Sequence, residues 1–241
     1  DRTSAILLAR HAEEPAAMTR SVEPFLGEVN ELILRMGGCC EAILAKALRA
    51  LFERNAELAL EIREDDLEID RLDVAVDESV LRSLALQAPV ADDLRRLLAA
   101  NDIATDLERV GDLARNIAKS AARLAERAPV SLPPHLETLA VESQAILRDA
   151  LDAFVHRDAE RARKLLADDD RIDEDQDRVI REALDGIRAH PDLYQQEVDL
   201  ILVAKHLERV ADHATNIAES VIMIVEARNV KHAEKLARAR A

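Results

Sequence analysis

Apolar residues recur at helical spacing along almost the whole chain. Ile103, Leu107, Val110, Ala114 and Ile117 make one stripe, and Leu58, Ile62, Ile69, Val76 and Val80 another. Such steps of three and four place side chains on one face of an α-helix. Breakers cut the pattern into six segments, near 22–54, 56–86, 90–127, 134–156, 159–188 and 192–230. Asn55 and Asp158 stand where the second and fifth helices need an N-cap, and Pro89 and Pro191 suit the first turns of the third and sixth. The segment APVSLPPH at 128–135 stops one helix and cannot continue inside the next. Gly37 and Gly38 fall inside the first helix, where each costs about 1 kcal/mol relative to Ala. A close helix contact or a kink is the expected reason for them.

The halves repeat each other. Residues 104–120 read ATDLERVGDLARNIAKS and residues 204–220 read AKHLERVADHATNIAES. The stripe recurs too, as Val203, Leu207, Val210, Ala214 and Ile217. A repeat of this period fixes the architecture. The predicted fold is all-α, with two tandem, structurally similar three-helix bundles at 22–127 and 136–241 joined by the 128–135 linker. Residues 1–21 read as an extension outside the repeats, loosely packed or disordered.

Composition agrees with long helices. Apolar residues make up 49% of the 241, aromatics only 2%, and there are five glycines. The core must be Leu, Ala, Ile and Val. A net charge of −15 disfavours nucleic acid and anionic lipid as partners, and suits cations or basic proteins. Cys39 and Cys40 are adjacent and give neither a disulfide framework nor metal-ligand spacing. No segment approaches the ~18 apolar residues of a membrane span, so a cytoplasmic protein is expected.

The candidate chemistry lies in carboxylates. Glu108 and Asp112 are four apart, hence on one helix face, and recur as Glu208 and Asp212. At about 100° per residue Asp112 points away from Ile103, with Glu108 and Asn116 on either side of it. These positions should face away from the core, where packing does not dictate identity. Other outward positions have drifted, as Thr105 against Lys205 and Lys119 against Glu219. The second helix adds a DxxID segment in both copies, giving Asp66 and Asp70, then Asp169 and Asp173. Asp73, Asp77, Asp102 and Asp106 have no acidic match and read as surface charge, while His206 and His213 read as incidental. Four carboxylates per bundle suit hard or borderline cations. Arg109 and Arg209 can pair with them when metal is absent.

The duplicated LERVxDxxxNIA and DxxID segments, the MGG at 36–38 and NIAESVIMIVEARNVKH at 216–232 resemble the PhoU family. The resemblance runs over about residues 22–236 and implies two similar three-helix bundles carrying multinuclear metal clusters. Iron is the first expectation, with Mn, Mg, Ca or Zn left open. The family's metal motifs fall on Asp66, Asp70, Glu108 and Asp112 in the first half, and on Asp169, Asp173, Glu208 and Asp212 in the second. Asn116 and Asn216 are weaker, peripheral candidates. The implied role is non-enzymatic: negative regulation of phosphate-starvation signalling, linking the ATPase subunit of a phosphate ABC transporter to a sensor histidine kinase. A homodimer is left open. Two other readings compete, a metal-free helical scaffold for basic partners and a di-iron carboxylate oxidase. The oxidase lacks its usual Glu-x-x-His.

Overall fold

The computed structural model describes residues 22–231, apart from the side chains of 168–170. Residues 1–21 therefore lie outside the described residues, as does the side chain of Asp169. The described part is all-α, with six long helices: α1 (Glu23–Phe52), α2 (Ala56–Gln87), α3 (Ala91–Glu126), α4 (Leu136–His156), α5 (Ala159–Ala189) and α6 (Tyr194–Glu226).

Side-chain caps explain where two of them begin. Asn55 accepts the Leu58 amide at 3.0 Å, and Asp158 accepts the Arg161 amide at 3.0 Å. Each satisfies one of the orphan donors at a helix start. The prolines act differently from the prediction. Pro89 stands before α3, because Ala88 is left-handed (φ 48) and the helix waits until Ala91. A residue preceding proline is driven out of the right-handed helical region, so α2 must end there. Pro191 opens a short 3-10 turn, Pro191–Leu193, that runs into α6. That helix stops at Glu226, where Ala227 turns left-handed, four residues short of the apolar pattern.

Helices α1, α2 and α3 pack mutually, as do α4, α5 and α6. The two bundles do not stand apart. Helix α3 lies along α6 in an interface as extensive as those within each bundle, and α1 meets α4. Buried Leu, Ile, Val and Ala from all six helices form one continuous core. Gly37 has its reason here: a Cβ on it would lie 2.7 Å from Leu151 Cδ2 of α4. Glycine therefore lets α1 approach the other bundle closely. Gly38, with open space around its Cα, has no such role.

Polar links cross the same interface. Asp106 of α3, read from sequence as surface charge, is half-buried and lies 2.8 Å from His213 Nδ1 and 3.1 Å from Asn216 Nδ2, both of α6. Neither Asp106 nor His213 is incidental, because the solvent side of α3 in an isolated bundle is the packing side once α6 covers it. Asp199 of α6 is buried and held by Arg127 at 2.8 Å and by Arg123.

Candidate metal centre

The carboxylates collect along the seams between the second and third helix of each bundle. Asp66 is buried under α3, and its position depends on Gly111: a Cβ there would stand 3.2 Å from Asp66 Oδ1 and 2.9 Å from Ile69 Cδ1. Glycine thus lets α3 close over the carboxylate. Glu108 and Asp112 are half-buried at the edge of the same seam, and Asp70 is exposed. In the other bundle Glu208 is half-buried, whereas Asp173 and Asp212 are exposed.

Electrostatics show that these groups face one another. Burial raises Asp66 above the usual carboxylate range; Arg115 opposes this, and Asp70 and Asp112 add to it. Glu108 is raised by burial and then by Asp112, with Asp73 and Asp70 contributing. Asp73 therefore belongs to the seam and is not mere surface charge, and burial raises it as well. The sequence did carry a signal: Asp66, Asp70, Asp73 and Asp77 follow helical spacing on one stripe, but Asp73 and Asp77 have no acidic counterpart in the repeat.

The bundles differ in how the charge is compensated. In the first, Arg115 bridges Asp66 and Asp112 with its two terminal nitrogens. Arg109 approaches Glu108 at 3.3 Å and Asp112 at 3.8 Å, the pairing expected of it. In the second, the place of Arg115 is taken by Thr215, whose hydroxyl donates to the Asp212 carbonyl at 2.8 Å. Glu208 is pushed up to about 7 by burial, then by Asp212 and Asp173, with Lys205 and Arg209 opposing.

Facing carboxylates, several of them partly drawn out of water, are the donor chemistry that a hard cation fits. Asp66, Asp70, Glu108 and Asp112 lie along the first seam, and Asp173, Glu208 and Asp212 along the other. Among the described residues, however, no three carboxylate, imidazole or thiol groups converge into a ready ligand set. In the first seam Arg115 holds the place between two of them. Asn116 accepts from Lys119 at 3.2 Å, and Asn216 is engaged with Asp106.

Similarity to known proteins agrees with the repeat. The PhoU domain matches twice, over residues 33–121 and 136–221. A phosphate-specific transport system accessory protein PhoU homolog of Zymomonas mobilis is 35% identical over 212 residues, covering 88% of this chain and 90% of that protein. Its counterpart of the same name in Caulobacter vibrioides is 36% identical over 197 residues, covering 81% and 86%. The crystal structure of PhoU from Pseudomonas aeruginosa superposes with a TM-score of 0.82 at 31% identity, covering 86% of this chain and all of that one. The phosphate transport system regulatory protein PhoU from Streptococcus pneumoniae gives 0.78 at 28% identity, over 87% and 99%. With two matched repeats, relatives at about 35% identity and a shared helical architecture, the chain belongs to the PhoU family.

Proposed function

We propose that this protein is a metal-binding accessory regulator of phosphate transport, acting by docking and not by turnover. The transport role is carried by the names of its relatives, each an accessory protein of a phosphate-specific transport system. The metal role is supported by one arrangement: carboxylates of the second and third helices gather along each seam, Asp66 and Asp112 on either side of Arg115 in the first, and burial and mutual repulsion raise their protonation. Asp66, Asp70, Glu108 and Asp112 would hold cations in the first seam, and Asp169, Asp173, Glu208 and Asp212 in the second. Iron or another oxygen-preferring ion would supply positive charge to the seams. Arg115 would then leave Asp66 and Asp112, and the relation of the second and third helices would be fixed by coordination.

In this reading the metal-loaded surface docks on the ATPase subunit of the transporter and on the sensor histidine kinase, holding the starvation response off while phosphate is plentiful. The reading assigns this action to the cytoplasm. No described helix is long and apolar enough to cross a membrane. The test is a pull-down from phosphate-replete cells with the full chain as bait. Recovery of the transporter ATPase or the kinase supports the proposal. Recovery of neither, with bound metal confirmed on the bait, overturns the docking role. A metal-free scaffold would recover the same partners after metal has been stripped.

A further inference from the structure

We propose that the cleft between the start of α2 and the C-terminal half of α3 binds a small organic phosphate. Its cations are Arg63, Arg115, Lys119 and Arg123, its floor is Ala59, Leu60, Ala118 and Ala122, and no acidic side chain lines it. The cavity is about 500 Å³, which lies in the range of small-molecule sites and exceeds what a single inorganic phosphate fills. Four cations around one cleft are conspicuous in a chain of net charge −15.

The cations differ in their commitments. Arg123 is held by Asp199, and Arg115 by Asp66 and Asp112. Arg63 and Lys119 make no ion pair with any described residue, and both are exposed at the cleft. Arg63 and Lys119 are therefore the cations available to a ligand, and a phosphate oxygen is an acceptor that guanidinium geometry suits. The floor favours an ester over a bare anion: Leu60 is 71% exposed on it, an apolar surface on which the organic part can lie.

The repeat sharpens the assignment. Arg63, Arg115, Lys119 and Arg123 stand where the second half has Leu166, Thr215, Glu219 and Met223. The duplication kept the carboxylate motifs in both bundles, whereas these cations occur in only one. A role in general solubility would not confine them to one cleft.

ADP is the probe, titrated calorimetrically into the full chain as purified, with pyrophosphate and orthophosphate as comparison arms. ADP should bind with a dissociation constant at or below about 1 mM, and more tightly than either inorganic anion. The double variant Arg63→Leu, Lys119→Glu copies the second bundle at two exposed positions, so its helix content should not change. It should weaken ADP at least about tenfold. Glu208→Gln with Asp212→Asn should leave ADP binding unchanged, which separates this cleft from phosphate held through metal in the other seam. No heat with ADP at about 5 mM overturns the proposal, as does binding insensitive to the first double variant. Orthophosphate binding as tightly as ADP overturns the ester assignment. Binding of poly-glutamate, lost in the double variant while ADP gives no signal, reassigns the cleft to an acidic protein partner.

Discussion

Arg127 at the end of α3 donates to Asp199 Oδ2 of α6 at 2.8 Å, across the join between the two halves of the repeat. Asp199 is buried and is also held by Arg123, so two guanidinium groups from one bundle close on one carboxylate of the other. The third and sixth helices are thereby fixed in orientation as well as packed.

Asp199→Ala should therefore destabilise the fold by about 2 kcal/mol, less than for fully buried charges because both arginines reach water. Urea unfolding followed by circular dichroism reads the shift in midpoint. A change below about 0.5 kcal/mol would show that the triad contributes nothing to holding the halves together.

The adjacent glycines of α1 should respond in opposite directions. Gly37→Val forces a branched side chain against Leu151 and should cost about 2 kcal/mol. Gly38→Ala meets nothing within 4 Å and should gain about 0.5–1 kcal/mol from helix propensity alone. Thermal melts of the two variants side by side settle the pair, and equal effects would contradict the α1–α4 contact.

Glu197 gives a pH dependence of definite sign. It is buried against Gly186 of α5, and burial raises its carboxyl above the ordinary 4.5, with His190 opposing. Below 4.5 both folded and unfolded chains hold the proton, and the group is neutral in the balance. As pH rises from 4.5 through the raised folded value, the unfolded chain loses its proton first, so stability falls. Glu197→Gln should remove that decline and be more stable than the parent at neutral pH. Melting temperatures across about pH 4 to 7 measure it, and parallel curves for parent and variant would refute it.

The metal assignment predicts stoichiometry. Glu108→Gln with Asp112→Asn should lower bound metal to about half, since the second seam is untouched, while helix content holds. Chelation of the parent should lower its melting temperature, because an ion at about a hundred times its dissociation constant adds about 2.7 kcal/mol to the folded state. Elemental analysis and melts are the measurements; unchanged metal in the variant would remove these two residues from the site.

Periodicity, breakers and self-similarity in the sequence already determined six helices, their order, the caps at Asn55 and Asp158 and the family, because each depends on neighbours within a few residues or on the repeat itself. The carboxylate motifs were legible for the same reason. Which polar faces remain exposed was not. Asp73 and Asp106 read as surface charge because neither has an acidic counterpart in the repeat, and His213 reads as incidental; a repeat and helical angles do not say which other helix covers a residue. Tertiary packing laid α6 over one side of α3 and α2 over another, and burial then changed what those side chains touch and how readily they ionise. Arg115 makes the same point most directly: its spacing allows a pair with Asp112, but only the approach of α2 at Gly111 brings Asp66 to its other nitrogen.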